Sequence, residues 1–239
     1  MRQNVHRLNE LKVIAFGLCI ILVLSLAVQH TASVYGAGEL LNNRYTVIID
    51  PGHGGIDGGA STATGILEST INLQIGHKLR DLLHLLGIQT IMTRTTEASI
   101  DTEGETIAQK KVSDLKNRVR FVNTTANAVL VSIHQNYYSV SKYSGAQVFY
   151  ANTAGSKELA TELQNSLRKH VAQDNLRDIK KASSIYLLDK INCTAVLIEC
   201  GFLSNNEEAM RLCDSGYQNK LCAAITSALS NYLRSAAST

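Results

Sequence analysis

Net charge is almost absent from this chain. The formal value of +3 over 239 residues draws +2 from Arg2, Arg7 and Lys12 against Glu10, and beyond residue 36 the balance is 20 basic to 19 acidic residues. That leaves no electrostatic case for a nucleic-acid partner. The five cysteines include no CxxC spacing, so a local thiolate metal site is excluded. There is no HExxH either, which removes the two-histidine helix of many zinc proteases. No internal repeat is present. With 45% apolar and 18% charged residues the chain is not of the disordered class, and its length supports one substantial core rather than two comfortable domains. Proline is the scarcest of the structure-breaking residues. Its single occurrence, Pro51, falls inside the most informative stretch of the chain.

That stretch is TVIIDPGHGGIDGGA, Thr46 to Ala60. Thr46–Ile49 is a short β-branched apolar run bounded by turn residues, which reads as a buried strand. Five of the 16 glycines follow between Gly52 and Gly59, with His53 among them. Glycine lets a backbone pass close to a bound ion or ligand. A histidine just past the carboxyl end of a strand sits where open α/β sheets place their ligands.

The N-terminus has a different character. Val13–Val28 is an uncharged apolar run of 16 residues behind a basic start, and Glu39 is the next acidic or basic residue. A basic n-region and an apolar h-region describe a secretory signal or a short N-terminal anchor over residues 1–38. At 1.5 Å per residue the run spans roughly 24 Å, short for a membrane helix. Either outcome places the remainder outside the cytoplasmic membrane. Leu18 before Cys19 does not suit a lipoprotein signal. Four cysteines, Cys193, Cys200, Cys213 and Cys222, lie in the exported part, an even number that permits disulfides without requiring them.

Further along, Ile71, Ile75, Leu79, Leu82, Leu83 and Leu86 recur at helical spacing, with Gly87 closing the run and Glu68 at its start. An acid there also compensates a helix dipole, so Glu68 alone is not diagnostic. Ile88–Thr93 reads as a second strand ending at Arg94. The polar stretch TTEASIDTEGETIAQ then precedes a helix marked by Val112, Leu115, Val119 and Val122. Ala128–Ile133 is an all-apolar strand, and His134, Gln135 and Asn136 stand at its end. Ala146–Tyr150 suggests an edge strand. Ser156 is the expected cap of a helix lined by Leu159, Leu163 and Leu167. Ile185–Leu188 reads as a short strand or turn, and Lys180 and Lys181 as a solvated rim. Ala195–Ile198 is the last clear strand and ends in Glu199, Cys200, Gly201 and Phe202; a helix with Leu221, Ile225, Leu229 and Leu233 closes the chain. The alternation of strands and helices predicts an α/β fold, a single domain with a twisted, mostly parallel sheet covered by helices on both faces.

Two imidazoles and one carboxylate are a standard complement for a catalytic zinc, and His53, His134 and Glu68 supply them if their loops converge on one sheet edge. Glu199, a carboxylate at the end of an apolar strand, is then the general acid/base. Arg94 and Asn136 are expected either to orient substrate or to serve the fold. Two other readings stay open at this stage. One is a cysteine hydrolase with Cys200 as nucleophile and His134 or His53 as base. The other is a catalytically dead binding module.

Four motifs in order, VIIDPGHGGIDGGA, the downstream Glu68, SIHQN and VLIECGFLSN, resemble the zinc-dependent N-acetylmuramoyl-L-alanine amidases of the Amidase_3 family. The resemblance runs from about Tyr45 to Leu233, within an expected catalytic domain of residues 45–234. QKKVSDLKNRV, GAQVFY and the late Tyr217-Gln218 are more particularly similar to the CwlD-type amidases of spore-forming bacteria. Gln135 departs from the pattern, since relatives often carry an apolar residue there. The resemblance implies that zinc is bound by His53, Glu68 and His134, that Glu199 is catalytic, and that the amide between N-acetylmuramic acid and L-alanine is cleaved. It also implies a role in spore cortex maturation, through muramic-δ-lactam formation and germination. Peptidoglycan stem peptides are the implied substrate and a lipoprotein activator the implied partner. The implied location is the outer side of the cytoplasmic membrane, the secreted fraction or the forespore intermembrane space.

Overall fold

A computed structural model describes residues 18–23, 25 and 44–238. The signal or anchor expected over 1–38 therefore lies for the most part outside the described residues. No helix among the described residues is long and apolar enough to cross a membrane.

From Thr46 onward the chain forms a six-stranded sheet and six helices. The strands are β1 (Thr46–Pro51), β2 (Thr90–Met92), β3 (Ala128–Asn136), β4 (Gln147–Tyr150), β5 (Lys180–Lys181) and β6 (Thr194–Phe202). The helices are α1 (Glu68–Leu85), α2 (Ile107–Thr124), α3 (Ser156–His170), α4 (Tyr186–Lys190), α5 (Asn206–Cys213) and α6 (Ser215–Ala237). The sheet order is β2-β1-β3-β6-β4-β5. All neighbours pair in parallel except β4 with β6. The exception has a simple cause: no helix separates β3 from β4, so the chain turns back without the crossover that a parallel strand needs.

Strand alternation divides the core in two. Val47, Ile49, Val131, Val196 and Ile198 face one side and pack against α1, α3 and α6. Ile48, Leu130, Ala195 and Leu197 face the other and meet Val122 of α2 with Leu187 and Leu188 of α4. Helices thus cover both faces, as the period-2 exchange of buried residues on a two-sided sheet requires.

Several local expectations need correction. Tyr186–Leu188 belongs to helix α4 with Ile185 at its N-cap, not to a strand or turn, and Leu187 and Leu188 lie on its buried side. Ala146–Tyr150 is not an edge element, because Lys180–Lys181 pairs outside it as β5 while both lysines stay exposed. Ser156 is not the cap of its helix. Gly155 occupies that position at φ 76°, and the Ser156 hydroxyl accepts from Ala195 N–H inside the core instead. The C-terminal segment holds two helices, α5 and α6, broken at Asp214, whose side chain accepts from Tyr217 N–H. The four cysteines beyond residue 44 are all free thiols.

Candidate active site

The central strands β1, β3 and β6 run side by side and end at the same edge, and the ends of all three carry polar residues. His134 pairs with Glu199 across β3 and β6, and His53 follows β1 directly. Both strands run further than their apolar segments suggest, so His134 and Glu199 sit in the ladder, one pair short of its end, rather than in loops. α1 begins at Glu68, and its first turn lies over this edge.

His53, Glu68 and His134 converge here, with one ligand atom of each within 4.8 Å of the others. Glu68 Oε1 lies 3.0 Å from His134 Nδ1 and 3.3 Å from His53 Nε2. Its other oxygen accepts from Ala60 N–H at 2.9 Å, which fixes the carboxylate plane. The Nδ1 of His53 lies 2.9 Å from Asp57 Oδ2. An ionised carboxylate only accepts, so Nδ1 carries the proton and Nε2 is the atom aimed at the cluster. Lys111 on α2 holds the other oxygen of Asp57 at 2.8 Å.

Two glycines make room for these side chains. A Cβ on Gly52 would overlap the His134 ring, and one on Gly59 (φ +69°) would lie 2.7 Å from His53 Cδ2. His53 itself adopts φ 62°, a left-handed conformation uncommon for a residue with a Cβ. Two buried arginines hold the loop in this shape. Arg94 donates to the carbonyls of Pro51, Gly52, Ser69 and Thr96. Arg118 donates to the carbonyls of Pro51 and His53 and forms ion pairs with Asp50 at 2.5 Å and Asp114 at 2.6 Å. Arg94 is 4% exposed and spends its guanidinium on backbone, so it shapes the loop rather than facing a substrate. Asn136, the last residue of β3, pairs with Phe202 beside the site.

Electrostatics separate the acids. Burial alone would raise Asp50, but the Arg118 guanidinium and the hydroxyls of Ser132 and Thr93 outweigh it and hold the carboxyl at about 2. Burial likewise opposes ionisation of Glu68, yet hydrogen bonds from His134 and His53 keep it well below the usual carboxylate range. The same contacts act in reverse on His53. Burial disfavours its charge, while Asp57 and Glu68 push it up to about 9. Glu199 accepts no such hydrogen bond, and the charges of His134 and His53 do not offset its burial. Burial pushes it up to about 7, and its shielded Oε2 has no hydrogen-bond partner among the described residues.

This donor set fits a divalent cation. Asp57 and Glu68 both stay ionised against the cluster, and the exposed Lys111 pairs with Asp57 only. Arg118 is already matched by Asp50 and Asp114. Two imidazoles and a carboxylate around one point, with a hydrogen-bonded carboxylate behind one ring, are the groups zinc selects. Cys200, by contrast, is fully buried in the core with its thiol pushed far up, mainly by burial, so it cannot serve as a nucleophile.

Sequence reasoning had no access to Asp57, Asp50 or Lys111. Asp57 alone left a trace, as the acid four residues after His53 within the glycine loop.

Residues 47–231 match the N-acetylmuramoyl-L-alanine amidase family, Amidase_3. The germination-specific N-acetylmuramoyl-L-alanine amidase of Bacillus subtilis (strain 168) is 35% identical over 188 residues, covering 78% of this chain and 78% of its own length. Among solved structures, the CwlD amidase of Clostridioides difficile, determined in complex with the GerS lipoprotein, is 42% identical with a TM-score of 0.77; the match covers 80% of this chain and 99% of that one. An N-acetylmuramoyl-L-alanine amidase from Clostridium difficile 630 is 34% identical with a TM-score of 0.70, covering 81% of this chain and 98% of that one.

Proposed function

This chain belongs to the Amidase_3 family of N-acetylmuramoyl-L-alanine amidases, and on that premise we propose that it is a zinc enzyme whose substrate is the peptidoglycan of the spore cortex. His53, Glu68 and His134 would hold the metal. Bound there, zinc supplies Lewis acidity to a scissile carbonyl and to water.

The chain's own groups account for the remaining chemistry. Asp57 keeps the proton of His53 on Nδ1 and so leaves Nε2 free to ligate. Glu68 is aligned by Ala60 N–H and does not rotate away from the cluster. The Glu199 carboxylate takes the proton of the attacking water and delivers it to the leaving nitrogen of L-alanine. A carboxyl near 7 suits both halves of that transfer at neutral pH. The single observation carrying this assignment is the Glu199 carboxyl, shielded and unpartnered beside two imidazoles.

The cortex role is supported by the resemblance to the germination-specific amidase of B. subtilis. The similarity to CwlD supports a lipoprotein partner, since that enzyme was solved with GerS. Residues 1–38 act as signal or membrane anchor and 45–234 as the catalytic domain, which places the enzyme outside the cytoplasmic membrane or in the forespore intermembrane space. The test is to digest cortex peptidoglycan with zinc-loaded protein and weigh the products. Release of stem peptides with a free L-alanine amine is expected. Intact muropeptides after digestion with metal-replete protein would overturn the reading.

A further inference from the structure

A cavity of about 400 Å³ opens beyond Glu199, where the end of β6 meets the start of β4. Its floor is Glu208, 2% exposed, whose two oxygens accept from Gly145 N–H and Phe202 N–H at 2.8 Å each. That carboxylate is committed to the backbone and also feels the charges of Arg211 and Arg177. The walls carry Lys142, Arg177 and Arg211, and none of these cations is in an ion pair among the described residues. Each lies instead over an aromatic ring. The Arg177 guanidinium is 4.6 Å from the Phe202 ring centre, Lys142 5.5 Å from Tyr143, and Arg211 5.9 Å from Tyr217. Arg177 spends only its Nε, on the Ser144 carbonyl. Asp174, the other acid on the wall, makes no ion pair either.

Cations held on aromatic faces, with their N–H groups unspent, are poised for an anion. The register says which one. Phe202 pairs with Asn136 on the same two strands that pair Glu199 with His134. It lies three residues past Glu199 but only two ladder positions on along β3, because the pairing is irregular between them, so the separation is about 7 Å at roughly 3.3 Å per residue. An extended peptide leaving the scissile amide covers that distance with its second or third residue.

Resting on the amidase reading, we infer that this cavity binds a carboxylate carried by the stem peptide two or three residues beyond the L-alanine, through Arg177, Arg211 and Lys142. The cavity then acts as a specificity subsite that prefers free over amidated stem peptides.

The test compares zinc-loaded wild type with the double variant Arg211→Gln, Lys142→Gln. Among the described residues neither side chain makes a hydrogen bond or ion pair, so the variant keeps its fold. Substrates are muropeptides with those carboxylates free or amidated. Losing charge-assisted contacts should raise KM for the free form about tenfold or more, with kcat within about twofold and the amidated substrate unaffected. Calorimetry of the released stem peptide binding to wild type and variant gives a second readout that needs no turnover. Equal KM changes on both substrates, no change on either, or unaltered peptide binding would overturn the subsite. Failure of wild type to release any peptide would overturn the amidase reading instead, and leaves the peptide-binding comparison to judge the subsite.

Discussion

Replacing Arg118 with methionine tests whether the metal loop is held by the buried ion network behind it. Arg118 is 2% exposed and Asp50 is 1% exposed, and they pair at 2.5 Å. Removing one partner of such a pair leaves an uncompensated charge and costs roughly 3–5 kcal/mol, a large fraction of the 5–15 kcal/mol typical of a domain. The pH dependence gives a sharper signature. In the wild type Asp50 is held at about 2, below the roughly 3.9 of an unfolded aspartate. A depressed carboxylate contributes stability that is present above the unfolded value and is lost as pH falls towards 2. The shift corresponds to about 2–3 kcal/mol, nearly undiminished by solvent at this depth. In Arg118→Met the desolvation that Arg118 outweighed becomes dominant and Asp50 rises above 3.9. The sign then reverses, and stability is lost as pH rises through the new value. Urea unfolding from pH 3 to 8 reads both slopes. Zinc retention should fall in parallel, because Arg118 also holds the His53 carbonyl. A variant that loses less than about 1 kcal/mol, or keeps the wild-type slope, would refute the reasoning.

Three other outcomes follow from the same geometry. Asp57→Asn should weaken zinc binding about 10–100-fold, as loss of a carboxylate behind a ligating histidine generally does, measured by chelator competition. Zinc affinity should rise about tenfold per pH unit between pH 6 and 8, because His53, held at about 9, must give up its proton to ligate; a flat profile over that range would contradict the Asp57–His53–Glu68 arrangement. Cys200→Ser should lower stability by about 1–3 kcal/mol, the cost of desolvating a hydroxyl where a thiol sits in the core beside the Ile198 carbonyl, yet leave turnover in place. Loss of activity in a folded, zinc-containing Cys200→Ser protein would revive the cysteine hydrolase.

The apolar strands were legible because a sheet buried on both faces needs unbroken β-branched runs, as in Ala128–Ile133 and Ala195–Ile198. Their polar ends were legible for the same reason. His134 and Glu199 stand out only because what precedes them is so uniformly apolar. Pairing was harder. Nothing local tells β4 to run antiparallel or makes Lys180–Lys181 a strand, since that follows from which neighbour is within reach. Leu187 and Leu188 fit a strand or a helix equally in so short a run, and packing against α2 decided for helix. The role of Arg94 was open because an arginine at a strand end looks available until the carbonyls of residues 51, 52 and 69 are seen to surround it. The Glu208 floor was invisible, as its partners at 145 and 202 lie far apart along the chain.

The most direct test is a paired comparison of zinc content and stem-peptide release in His134→Ala and Glu199→Gln. His134→Ala should emerge without stoichiometric zinc and without activity. Glu199→Gln should carry zinc at the wild-type level while its turnover falls by about 10²-fold or more, the usual cost of losing a general acid/base. Full zinc in the first protein, or near-normal turnover in the second, would contradict the account.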